Sequence, residues 1–177
     1  MQFIRIEETD AQAVERLSCL ASSIVKDYYD PIIGPEQNDY IIARFQSVPG
    51  IRDQFAHGYT YYIARDGDRD LGFLGYYPRG DALYLSKLYL KKEERGKGYG
   101  RQMMDFVCRA ARAQGLCAVE LNVNKGNPTV GIYEKMGMQR IRSEKNPIGQ
   151  GFYMDDYVYR LPLEIWEKGG EPDGHVL

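Results

Sequence analysis

The sequence predicts a layered α+β fold with helices packed around one sheet. Three observations predict it. "FIRIEE" opens the chain with strand-type alternation, and apolar residues at helical spacing follow at once. The middle of the chain then holds three consecutive strand-like stretches, "YTYYIAR", "LGFLGYY" and "ALYLSKLYL". After them helix and strand alternate to give the order βαα-βββ-αβ-αββ, which one mixed sheet with flanking helices satisfies. At 177 residues, 44% of them hydrophobic, the chain suits one globular domain.

Each element has a local reason. Thr9 and Gln12 form a T-x-x-Q start, and Val14, Leu17, Ala21 and Ile24 mark one helical face that should end near Asp27. "YYDPIIGPEQ" carries two prolines and a glycine and reads as a loop. "EQNDYIIARFQS" reads as a second helix stopped near Pro49 and Gly50, with a weaker helical piece at "IRDQFA". "DGDRD" turns a hairpin, and "RGD" at 79–81 is another turn. In "RQMMDFVCRAARAQG", Met103, Met104, Val107, Cys108 and Ala111 share a face, so the methionines are core, and Gly115 closes the helix. "CAVELNV" is a strand. Asn127 caps the next helix, "PTVGIYEKM", with Pro128 at its first position and Gly137 at its end. "MQRIRSE" and "YMDDYVYRL" are closing strands joined by "KNPIGQGF". A domain over 1–162 is expected, then a loose tail over 163–177.

Composition excludes several classes. A net charge of -2 argues against a general nucleic-acid binder. Three cysteines without a CxxC pair indicate neither a disulfide framework nor a zinc site, so no metal is expected. No apolar run is long enough to span a membrane and the N-terminus does not read as a signal peptide, so a cytoplasmic protein with free thiols is expected. His57 and His175 belong to no cluster and read as surface residues.

The stretch "KKEERGKGYGRQ" joins a strand to a helix start. Unpaired N–H groups and the helix dipole favour an anion there, and glycines let backbone approach it. Gly96, Gly98 and Gly100 would line the turn, with Arg95, Lys97 and Arg101 adding charge. Pyrophosphate fits such a nest. The spacing is neither G-x-G-x-x-G nor a P-loop, so a solvated basic turn fits it equally.

"LYLKKEERGKGYGRQMM", followed by "NPTVGIYEKMGM", resembles the Gcn5-related N-acetyltransferases (GNAT). The family signature R/Q-x-x-G-x-G/A reads here as Arg95 to Gly100, and Thr129 and Met138 replace the family's usual Ala and Phe. The resemblance covers roughly residues 1–162. It implies a mostly antiparallel mixed sheet, splayed at a cleft for acetyl-CoA. Leu88, Tyr89 and Leu90 would follow the pantetheine arm, and the turn from Arg95 through Tyr99 to Arg101 would hold the pyrophosphate. Asn127 would touch the cofactor, and Tyr133 would donate a proton to the leaving sulfur; on position alone Tyr133 is a core tyrosine. The general base is open between Glu120 and a water relay.

Family pockets for the acceptor form from "DYYDPIIGPE" and "NPIGQGFY", which brings in Tyr28, Tyr29, Asp30, Phe152 and Tyr153. Aromatic faces and carboxylates suit a cationic amine, so a small cationic amine is the first expectation and a peptide or protein amine the second. Attack would be direct, in a ternary complex. The rival class is a non-catalytic acyl-CoA-binding sensor module. The expected partner is the amine, with a homodimer left open, and neither nucleic acid nor membrane.

Overall fold

The computed structural model describes residues 1–168. One seven-stranded sheet has the order β1-β2-β3-β4-β5-β7-β6. Its strands are β1 (Gln2–Ile6), β2 (Thr60–Asp66), β3 (Arg69–Arg79), β4 (Ala82–Leu90), β5 (Ala118–Asn124), β6 (Gln139–Gly149) and β7 (Phe152–Pro162). Helices α1 (Ala11–Ile33), α2 (Pro35–Phe45) and α3 (Val48–Ala56) precede the hairpin β2–β3. Helix α4 (Tyr99–Ala113) links β4 to β5, α5 (Val130–Lys135) links β5 to β6, and α6 (Leu163–Lys168) follows β7.

The sheet is covered on both faces. Val14, Leu17, Ala21 and Ile24 of α1 pack with Ile51, Tyr61, Ile63 and Phe73 in one core. Met103, Met104, Val107 and Cys108 of α4 pack with Leu83, Leu85, Val119 and Leu121 in the other, so the methionines are core.

Helix α1 runs to Ile33, six residues beyond the expected end at Asp27. Pro31 falls in its last turn, where it forgoes one bond, to Asp27 O, just before the helix ends, and Pro35 opens α2, where no intrahelical donor is needed. Gly34, at φ 86°, makes the break between them. Tyr28, Tyr29 and Asp30 are therefore on a helix rather than a loop. The final hairpin is also longer than expected, because β6 and β7 run up to a turn at Gln150 and Gly151. Pro147 is tolerated because β6 is an edge strand. Helix α6 occupies the start of the stretch expected to be loose. Its Trp166 donates to Asp105 Oδ1 at 3.2 Å, while 169–177 lie outside the described residues.

Two irregularities open the sheet. The parallel pairing of β4 with β5 covers only Ala82–Ala118, Leu83–Val119 and Tyr84–Glu120. On the other side of β4, Gly75 pairs with Lys87 but Tyr76 with Leu85, leaving Ser86 as an extra residue. Such a bulge bends and twists a strand. Here it coincides with the point where β4 leaves β5.

Candidate active site

The divergence of β4 from β5 creates the first cavity. Leu88, Tyr89 and Leu90 line one wall, Leu121, Asn122 and Val123 the other. Arg95, Gly96 and Gly100 close the end at α4, and Tyr28, Tyr29, Asn127 and Tyr133 add polar groups. Between Leu85 and Leu90 no β5 partner takes up the backbone on that side of β4, so an extended ligand can pair with the strand edge.

Helix α4 has neither a side-chain cap nor an acidic residue in its first turn. Its first N–H groups and dipole are thus available to an anion. Gly98, at φ 79° and ψ 0°, turns the chain into the helix. Arg95 Nε and Nη2 donate to Leu90 O at 3.2 Å each, and its guanidinium lies 4.6 Å from the Tyr28 ring centre. That fixes the end of β4 beside the turn. Lys97 is paired with Glu94 at 3.0 Å, and Arg101 lies over Trp166. Of the three basic residues expected at the anion, only Arg95 lines the cavity. Tyr99 begins the helix.

Asn127 lines the cavity, yet its amide is committed within the protein. Oδ1 accepts from Tyr28 Oη at 2.6 Å and from Thr129 N at 2.9 Å, and Nδ2 donates to Tyr29 Oη at 3.3 Å. It ties the end of α1 to the turn before α5 instead of capping α5, which starts at Val130. Burial pushes the Tyr133 phenol well up, with Tyr29 and Tyr28 adding to the effect. The hydroxyl therefore keeps its proton at neutral pH, as a donor requires.

A second cavity opens on the side of α1–α3. Asp156, Glu144, Asn146 and Tyr153 line it from β6 and β7, and Arg79, Tyr84 and Lys87 from β3 and β4. Tyr29, Ser86, Tyr89 and Asn122 line both cavities, so the two meet there. Lys87 is 5% exposed. Its ammonium donates to Phe45 O, Gln46 Oε1 and Gln54 Oε1 at 2.8–2.9 Å, and none of these is a carboxylate. Burial pulls its pKa down to about 7.

Three expected site residues have other work. Glu120 accepts from Arg79 at 2.9 Å and Arg160 at 2.8 Å and lines neither cavity. Burial pushes its carboxyl up, but these two arginines outweigh that and hold it low. A carboxylate with both oxygens engaged is poorly suited to taking a proton. Asp30 accepts from the fully buried Asn38 at 2.7 Å and from Lys26, tying α1 to α2, and itself lines neither cavity. Phe152 packs on Tyr40 with ring centres 5.5 Å apart; its neighbour Tyr153 lines the second cavity instead. Tyr28 belongs to the first cavity alone and Tyr29 to both.

Lys87, Asn122, Glu144 and Asp156 line the second cavity without having been expected there. Strand alternation was the available signal for one of them, since Asn122 follows Glu120 on the same face of β5.

Comparisons with known proteins bear on the family and the fold. A sequence model described as the acetyltransferase (GNAT) family matches residues 22–138. The L-methionine sulfoximine/L-methionine sulfone acetyltransferase of Pseudomonas paraeruginosa is 29% identical over 118 residues, which is 60% of this chain and 67% of that protein. The PaiA N-acetyltransferase of Thermoplasma acidophilum, solved in complex with coenzyme A, matches with a TM-score of 0.72 at 18% identity, over 92% of this chain and 99% of that one. An aminoglycoside 6'-N-acetyltransferase complexed with coenzyme A gives 0.64 at 15% identity, over 92% and 97%.

Proposed function

The chain belongs to the acetyltransferase (GNAT) family, and from that premise we propose that it acetylates a small primary amine bearing its own carboxylate. The meeting of the two cavities at Tyr29, Ser86, Tyr89 and Asn122 carries the reading. It lets a donor and an acceptor reach one point from two sides, as direct attack in a ternary complex needs.

The first cavity suits acetyl-CoA, which when bound supplies the acetyl group as a thioester. The open edge of β4 offers backbone partners to the pantetheine arm, and the uncapped start of α4 with Arg95 offers a pyrophosphate seat. Tyr133 holds a proton on its phenol oxygen beside the meeting point, ready for the departing sulfur. Lys97, Gly98, Tyr99 and Arg101 shape the turn.

The second cavity suits the acceptor. Asp156 and Glu144 make its β6–β7 side acidic and favour an ammonium group. Lys87, a charge without a carboxylate partner, stands on the opposite side of the opening and favours an anion, with Arg79, itself paired with Glu120, beyond it. Opposite charges on opposite walls distinguish an amino-acid-like amine from a polyamine. The relative named for methionine sulfoximine and methionine sulfone supports this class. A small acceptor is favoured over a peptide because Gln37 and Tyr153, both in the lining, are joined by a 2.7 Å hydrogen bond.

A panel of α-amino acids, their decarboxylated amines and short peptides tests this, with thiol release as the readout. Amino acids should lead their decarboxylated counterparts by roughly 10–100-fold in kcat/KM, the value of one charge-assisted hydrogen bond. Polyamines or peptides in the lead would overturn the acceptor class. Tyr133→Phe should keep coenzyme A affinity and lose about 10²–10⁴-fold in kcat; an unchanged kcat, where chemistry limits, would return Tyr133 to packing.

A further inference from the structure

We propose that Asp156 is the base that takes the proton from the acceptor ammonium, seated between Asp156 and the amide oxygen of Asn122; this rests on the acetyltransferase reading above. Asn122 Nδ2 lies 3.4 Å from both Asp156 Oδ2 and Glu144 Oε2. Two carboxylates on one side fix the orientation of that amide, because only its NH2 can face them. Its Oδ1 is buried without a hydrogen-bond partner. A buried carbonyl oxygen left unpaired is costly, and a ligand N–H at the meeting of the two cavities would satisfy it. Asp156 is 8% exposed, and its one described hydrogen bond is the long contact with Asn122.

The two carboxylates are not equivalent. Glu144 accepts from Arg142 at 2.6 Å and from Asn146, and the Arg142 bond above all holds its pKa low despite burial. Asp156 has no arginine. Burial pushes its carboxyl up, the Asn122 contact opposes this, and the charges of Asp155 and Glu144 add to the rise. Lys125, at the turn after β5, works against it but is paired with Asp155 at 2.5 Å. Tyr29 of α1 and Tyr84 of β4 also face Asp156, and its charge raises both phenols. Asp156 is thus the carboxylate with spare proton affinity, and Glu144 is a positioning charge.

The step balances. One ammonium N–H bond breaks, its proton passes to an Asp156 carboxylate oxygen, and the electron pair stays on nitrogen for attack. The N–C bond then forms, the C–S bond breaks with its electron pair going to sulfur, and the second proton leaves nitrogen for that thiolate by way of Tyr133. Asp156 then returns its proton to solvent. The products are amide, thiol and one free proton.

Asp156→Asn is the test, with the acceptor kinetics followed from pH 4 to 10. Wild-type kcat/KM for the amine should show an acidic limb set by Asp156. The variant should lose about 10²–10⁴-fold at pH 7 and recover in proportion to hydroxide, because solution then supplies the neutral amine. Coenzyme A affinity by calorimetry should stay unchanged, which also reports folding. Glu144→Gln should move the wild-type limb to lower pH, and this holds the inference testable should Asp156→Asn fail to fold. A variant within threefold of wild type at pH 7, or a limb that Glu144→Gln leaves in place, overturns Asp156 as base. Wild-type protein that releases no thiol with any amine overturns the underlying reading instead.

Discussion

Lys87 shows how one buried charge ties stability to pH. Its ammonium has three neutral oxygen partners and no counter-ion, and its pKa falls from the ordinary 10.5 to about 7. Below pH 7 the folded and unfolded chains both hold this proton. Between pH 7 and 10.5 only the unfolded chain does, so this residue makes stability rise with pH through that window. Lys87→Met should remove that rise, visible as a flatter plot of thermal midpoint against pH, and should raise KM for a carboxylate-bearing acceptor. Acceptor binding to the wild type should also take up a proton near pH 7.5, because a carboxylate would restore the lysine's charge; calorimetry in buffers of different ionisation enthalpy measures it. Glu120→Gln separates structure from chemistry in the same way. It leaves Arg79 and Arg160 short of a carboxylate and should cost roughly 1–3 kcal/mol of stability while changing kcat by only a few-fold. Urea unfolding and steady-state rates on one preparation decide it.

Among the elements, the turn into α4 depends on backbone conformation more than on space. A Cβ at Gly98 would meet nothing within 4 Å, but φ there is 79°. Gly98→Val should therefore weaken coenzyme A binding by disturbing the first N–H groups of α4. Gly98→Asn should be milder, since asparagine enters the left-handed region more readily. Equal losses in calorimetry would point to contact with the ligand instead. This turn, the three central strands and the core face of α4 were readable from sequence because their signals are local: alternation, helical spacing and glycine punctuation. The end of α1 was not. Pro31 suggested a break, yet it falls in the last turn, where the helix tolerates it. The acceptor wall was not readable for a different reason. Asn122, Glu144 and Asp156 come from three strands, and their meeting is a matter of register: Glu144 lies opposite Asp156, and Asn124 opposite Asp156 on the other side. Glu120 had the right strand and face, but it stands at the closed end of the β4–β5 pair, where Tyr84 is still its partner.

At the scale of the whole molecule, the sheet is complete on its outer flanks and open in its middle. Beyond Tyr84, β4 and β5 stop pairing, although both continue for several residues. Coenzyme A alone should therefore raise the thermal midpoint. Saturation at 100 times Kd corresponds to about 2.7 kcal/mol, and a midpoint that stays fixed would mean that the gap is not where it binds. The gap also carries a kinetic consequence. Ser86, Tyr89 and Asn122 belong to both cavities, so an occupied first cavity supplies part of the wall of the second. On the proposed reading the acceptor should meet a finished site only after the acyl donor has arrived, so turnover should be ordered, donor first and free coenzyme A last. Initial-rate plots should intersect, and coenzyme A should compete with acetyl-CoA. An unreactive acceptor analogue should raise the intercept of double-reciprocal acetyl-CoA plots and leave their slope unchanged, giving parallel lines; lines that converge would mean that either substrate can enter first.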